Sequence, residues 1–189
     1  SFDFGFEEGK APVRETRHVD QATHTFAFHA PVRPRFVVVD PELAVLAEIK
    51  LEAPGDMLRN QIGAAPTARG RMLAAPGLSR LDDPPSAEAL GAALLREGDF
   101  WGVRAEAADA LGNLRSEEAY AALEKGLAIT HPKVRRAVVA ALGHFRTAKA
   151  AAAITKVALR DASYLVEAEA ARALGATRQT TAFETLVDI

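Results

Sequence analysis

Few residues in this 189-residue chain could do chemistry: five histidines, two arginines at repeated positions with a third beside them, the acidic pair Asp82-Asp83 and a single tryptophan. His24 and His29 differ by an odd number of positions, so on one strand they face opposite ways and cannot share an ion. His18 and His24 share a face, but six residues of strand hold them roughly 20 Å apart. A zinc grip of the His-Glu-x-x-His kind needs two histidines one helical turn apart and a glutamate to activate the metal's water. No histidine here is followed by glutamate, and none has another histidine four residues on. Asp82-Asp83-Pro84-Pro85 is too short for a metal loop and reads as a turn ahead of a helix capped by Ser86. The expectation is therefore no catalytic residue, no cofactor site and no metal site.

Arg104, Arg135 and Arg136 carry two readings. Stacked arginines on successive helices could line a groove that takes a peptide carboxylate or a phosphate. Alternatively, Arg104 and Arg135 bridge adjacent repeats through carboxylates such as Asp99 or Asp161. Trp101 is likewise either a stacking ring for a ligand or, next to Phe100 at a repeat boundary, a packing anchor. His131 and His144 fit surface or cap positions.

The elements that must hold these residues fall into two compositions. Phe2, Phe4, Phe6, Phe26, Phe28 and Phe36 all lie in the first 53 residues, where short alternating runs predict strands. Phe2 to Phe6, Val13 to Val19, Thr23 to Ala30 and the apolar run Phe36-Val37-Val38-Val39 are four of them. Residues 42 to 51 make a fifth, because Val45, Ala47, Ile49 and Leu51 alternate with Glu48 and Lys50. An antiparallel meander or part of a β-sandwich follows, with one face left to be covered by something else.

From Pro54 onward alanine and leucine dominate and apolar positions recur at three and four, the mark of helices. Val103-Arg104 with Leu111-Gly112 recurs as Val134-Arg135 with Leu142-Gly143 and again as Val166-Glu167 with Leu174-Gly175, at shifts of 31 and 32. Ala119 and Leu123 map in turn to Ala150 and Ile154, then to Ala182 and Leu186. Arg69 and Gly77, with the separation of Arg104 and Gly112, suggest a degraded earlier copy. Each unit reads as two helices, the first ended by its glycine in a left-handed cap and the second capped by Ser116 or Thr147. Such hairpins bury their apolar stripes only by stacking into a solenoid.

The sequence thus divides into residues 1–53, a β-rich part of a sandwich; residues 54–98, a helical connector with a degenerate repeat; and residues 99–189, three repeats. The fold class is α+β in several parts, an N-terminal antiparallel β segment followed by an α-solenoid. A balance of 23 basic against 25 acidic residues lacks the footprint of a nucleic-acid binder. The helical part, with 17 basic and 16 acidic residues, offers no polybasic surface either. Charges interrupt every apolar stretch, so no membrane span is expected. The absence of cysteine suits a reducing compartment, and the cytoplasm is the expected location.

The Val-Arg-x-x-Ala-x-x-Ala-Leu-Gly pattern resembles HEAT-like repeats with a period near thirty; Glu167, where arginine is usual, breaks it in the third copy. The order of parts, Pro34-Arg35-Phe36-Val37-Val38-Val39-Asp40-Pro41, then Val45-Leu46-Ala47-Glu48-Ile49, then alanine-rich helices, is similar to the C-terminal region of the aminopeptidase N family of zinc metallopeptidases. That resemblance implies a non-catalytic scaffold and substrate-chamber wall, partnered by a catalytic domain of the same parent hydrolase and in reach of its peptide substrate. Zinc would belong to that domain, with none held here. The alternative is a stand-alone HEAT-repeat adaptor that grips a protein partner.

Overall fold

The computed structural model of the protein describes residues 1–188; the side chains of residues 184, 185 and 188 fall outside that description, as does Ile189, the last residue of the third expected repeat. Three short strands come first: β1 (Phe2–Gly5), β2 (Val13–Glu15) and β3 (Phe36–Val39). They form one antiparallel sheet in the order β2-β1-β3, with Phe2 opposite both Glu15 and Val39. Gly5 sits opposite Phe36, whose ring occupies the space a Cβ would take, so only glycine fits there. Asp3, buried in β1, accepts two hydrogen bonds from the Arg14 guanidinium at 2.7 and 2.9 Å, which satisfies its charge.

The expected sandwich is not formed. Both edges of β1 are taken by β2 and β3, and residues 23–30 join no ladder. Instead Phe28 packs its ring, tilted, against those of Phe4 and Phe2, with ring centres 4.8 and 5.2 Å apart. The fifth expected strand is also missing as a paired element. After β3 the chain turns at Asp40, whose backbone is left-handed (φ 47) and whose carboxylate accepts from the amides of Ala44 and Val45. That turn carries residues 43–51 away from the sheet. The alternating pattern was legible, but no neighbouring strand lies beside it.

Nine helices follow among the described residues: α1 (Gly55–Ala64), α2 (Ala68–Leu81), α3 (Pro84–Leu95), α4 (Trp101–Leu114), α5 (Glu117–Gly126), α6 (Pro132–Leu142), α7 (Ala148–Arg160), α8 (Tyr164–Thr177) and α9 (Thr180–Asp188). The even-numbered helices α2, α4, α6 and α8 pack side by side in one row. The odd-numbered helices form the second layer, α1 against α3, α3 against α5, and α7 against α9. One continuous apolar core runs between the layers from Leu58 through Leu90, Leu111 and Leu142 to Leu174, each fully buried. Two layers around one core are what amphipathic hairpins achieve by stacking. The sheet attaches at the α1 end, where Phe36 and Val38 bury with Ala65 at the α1–α2 turn.

Sequence and structure meet at the helix starts. Ser116 and Thr147 accept from the amides of Ala119 and Ala150 as N-caps, and Thr67 does the same for Gly70. Ser86 does not cap α3; Asp83 does, accepting from the Ser86 amide at 2.7 Å, because the two prolines already fill the first turn. The glycines of the repeat also play another part than the one expected. Gly112 and Gly175 lie inside their helices, Gly143 has an ordinary φ of −60, and the left-handed caps fall on Asp82, Arg115 and Arg178. What Gly112 supplies is room: a Cβ there would stand 2.8 to 3.1 Å from Ala141, so the missing side chain sets how closely α4 and α6 approach.

Candidate binding groove

Each arginine singled out in the sequence has a definite place. Arg135 on α6 donates from Nε and Nη2 to the two carboxylate oxygens of Asp161, at 2.8 and 2.7 Å, and from Nη1 to the carbonyls of Ile129 and Thr130. Arg104 on α4 donates to the Leu94 carbonyl at 2.8 Å and does not reach Asp99. Arg136 is exposed and makes no hydrogen bond or ion pair among the described residues. The three are therefore not gathered into one groove.

Arg71 was missed in the sequence. On α2 it takes a position like that of Arg135, donating to the Ala65 carbonyl six residues earlier and to Asp99 at 2.7 Å, the latter through one guanidinium nitrogen and one carboxylate oxygen only. The clue was Asp99 and Asp161 at equivalent positions two repeats apart, each following the arginine of the preceding unit. At the junction between them Thr130 stands where the aspartate would be, which leaves Arg104 without a carboxylate. A different contact fills that junction: the His131 ring stacks on Trp101 at 6.0 Å, and the Lys133 ammonium lies 4.3 Å from the Trp101 ring centre.

The hydrogen bonds from Arg135 hold the Asp161 carboxyl below the usual carboxylate range, burial opposing them and the Ser163 amide reinforcing them. These are structural ties. Among the described residues no three His, Asp or Glu side chains lie close enough to hold one metal ion.

A concave feature of the molecule lies elsewhere, between segment 43–51 and the outer face of α2 and α4. It is a cavity of about 640 Å³. Its floor is Met72, Leu73 and Pro76 of α2, its end wall is Phe100, and Ile49 and Leu51 form the opposite lip. Lys50, Arg69 and Arg80 stand around it against Glu48 and Glu106. Half-burial, and secondarily the charge of Asp109, push the Glu106 carboxyl up from its ordinary value. A concave apolar surface with a few convergent polar groups is the usual form of a binding site. The sequence hid it because its walls come from three separated segments, and α2 reads there only as a degraded repeat interrupted by Pro76.

Comparison with known proteins finds the HEAT-repeat family over residues 55–130 and 122–189. Among solved structures, human deoxyhypusine hydroxylase in complex with glycerol is similar, at 26% identity and a TM-score of 0.59, over 67% of this chain and 44% of that one. The complex of CpcE and CpcF of phycocyanin lyase from Nostoc sp. PCC7120 is similar in fold at 20% identity and a TM-score of 0.53, over 77% of this chain and 73% of that one. The chain spans under half the length of the hydroxylase. No curated protein matches. These findings overturn the likeness to the C-terminal region of aminopeptidase N. The matching family is defined by the helical repeats, the similar structures are a hydroxylase and a lyase complex, and the β part that suggested the junction is a three-stranded sheet. With it go the aminopeptidase, metallopeptidase and hydrolase reading and the expected partnership with a catalytic domain of the same protein. No helix among the described residues is long and apolar enough to cross a membrane.

Proposed function

The chain belongs to the HEAT-repeat family, and from that premise we propose that it is a protein-binding module which holds a partner in the groove between α2, α4 and segment 43–51. The observation that carries this reading is the 640 Å³ cavity with an apolar floor and a charged rim on a scaffold whose core is continuous and tightly packed. Rigid repeats present such surfaces at little conformational cost, since the backbone that forms them is already ordered by its neighbours. That one structure of similar fold is a complex of two proteins, CpcE and CpcF, accords with the proposal. The arginines play a supporting part in it: Arg135 and Arg71 tie successive units together and keep the row of even helices in register. No cofactor is assigned to the module, and the cytoplasm is proposed as its location, in keeping with the cysteine-free sequence.

The test is reconstitution. Wild-type protein and a Met72→Glu variant are used to isolate a partner from extract, and the partner is then purified and titrated against both. Met72 is half-buried on the outer face of α2, so the change puts a charge on the groove floor without entering the core. A purified partner that binds the wild type and loses at least tenfold in affinity for Met72→Glu is the expected result. A partner bound equally by both would remove the groove from the account.

A further inference from the structure

Segment 43–51 has the sequence of a strand and the environment of an unfinished one. Ile49 and Leu51 line the cavity together with Glu48 and Lys50, and Leu43 reaches it from a left-handed backbone (φ 56) across a turn in which the Ala47 amide donates to the Val45 carbonyl at 3.1 Å. Val45 and Leu46 are largely exposed, Leu46 completely so. Among the described residues the amides of Glu48, Ile49, Lys50 and Leu51 donate to nothing within the protein, and the carbonyls of residues 46–50 accept nothing from it. The two ends of the segment, in contrast, are fixed. Asp40 holds the amides of Ala44 and Val45, Arg69 holds the Asp40 carbonyl at 3.1 Å, and Arg80 donates to the Leu51 carbonyl at 3.1 Å. Two arginines of α2 thus moor the ends of a segment whose first half turns on itself through Asp40 and Val45 and whose second half, residues 48–51, leaves its backbone amides unpaired along the edge of an apolar cavity.

We infer that this segment is a docking strand, and that the groove takes an extended polypeptide segment which pairs with the backbone of residues 46–51. This rests on the protein-binding reading and names the kind of partner. Strand addition explains what a helix-in-groove mode would not, namely free donors and acceptors beside the apolar floor. Every second side chain of the added strand would enter the cavity toward Met72, Leu73 and Phe100, and the others would face solvent. The charges of the rim are largely paired within the protein, Lys50 with Glu48 at 3.6 Å and Arg69 with Asp40 at 3.9 Å, so the groove selects its partner by the alternation of apolar side chains and by backbone pairing.

The probe for the test is an acetylated, amidated peptide of alternating leucine and threonine, about seven residues long to match a strand. Its control is a peptide of the same composition with the leucines consecutive. The protein variants are Glu48→Pro and Lys50→Pro, each removing one backbone donor at an exposed position, with Glu48→Ala and Lys50→Ala as controls for the side chains. Expected are binding of the alternating peptide in the micromolar to low millimolar range, and binding to one or both proline variants at least tenfold weaker than to the alanine variant of the same position. Binding by both proline variants equal to that of their alanine controls, equal binding of the two peptides, or no binding of the alternating peptide overturns the inference. A purified protein partner that needs Met72 yet tolerates both prolines would reject strand pairing alone and leave the module's role intact.

Discussion

Arg135 and Asp161 meet side by side, two donors of the guanidinium on two oxygens of the carboxylate, with side chains only 13% and 8% exposed. One residue stands on α6 and the other ends α7, so the pair fastens one unit to the next, while the Ser163 amide on the same carboxylate fixes the entry to α8. Removing the carboxylate leaves a largely buried cation without its counter-charge. Asp161→Ala is expected to cost about 2 to 4 kcal/mol in urea unfolding, and Arg135→Met with Asp161→Ala together less than the sum of the single changes. Additive effects would show that the pair does not couple the units.

The same pair predicts a pH dependence. Because the folded Asp161 carboxyl lies below its unfolded value, the ion pair contributes fully above the unfolded value of about 4 and is lost as pH falls through the lower folded one. The stability gap between wild type and Arg135→Met should therefore be constant from neutral pH to about 5 and close on further acidification. A gap independent of pH down to the acid transition would contradict the assignment.

Glu106 predicts the opposite sign. Its folded value is raised by burial, so the stability associated with its protonated form is present below the unfolded value and is lost as pH rises through the folded one. Glu106→Gln cannot ionise and should melt higher than wild type at pH 7, with the difference gone below about pH 4. A variant that melts lower at neutral pH would mean that the charge is compensated.

Two glycines at equivalent repeat positions should respond in opposite directions to the same change. A Cβ on Gly112 would press on the Ala141 backbone, so Gly112→Ala is expected to destabilise by about 1 to 3 kcal/mol. Gly175 is exposed in α8 with no neighbour within 4 Å of its Cβ position among the described residues. Gly175→Ala should stabilise by up to about 1 kcal/mol, through helix propensity alone. Thermal melts of the two variants decide it, and a loss at both positions would return these glycines to a conformational role.

That contrast shows what the sequence could and could not reveal. The recurrence of Val103, Val134 and Val166 with Leu111, Leu142 and Leu174 marked the buried stripe of α4, α6 and α8, and all six side chains are fully buried. Periodicity reports burial because packing between successive hairpins imposes it. It does not report why a small residue is small: the Leu-Gly pairs looked like helix ends, yet their purpose at Gly112 is interhelical distance, which only the neighbouring helix defines. The β part failed for a related reason. Alternation at Val45 to Leu51 records a preference for extended backbone, whereas a strand also needs a partner, and partners lie far away in sequence. The groove was invisible on the same account, since Leu51, Met72 and Phe100 come together only after the solenoid and the Asp40 turn have formed.

The most direct test of the whole account is amide hydrogen exchange on the complex of the chain with its reconstituted protein partner. The prediction is slowed exchange concentrated in residues 48–51, with the outer face of α2 and the start of α4 protected to a lesser degree and α7 to α9 unchanged. Protection confined to α7 to α9, with residues 48–51 exchanging as in the free protein, would contradict it.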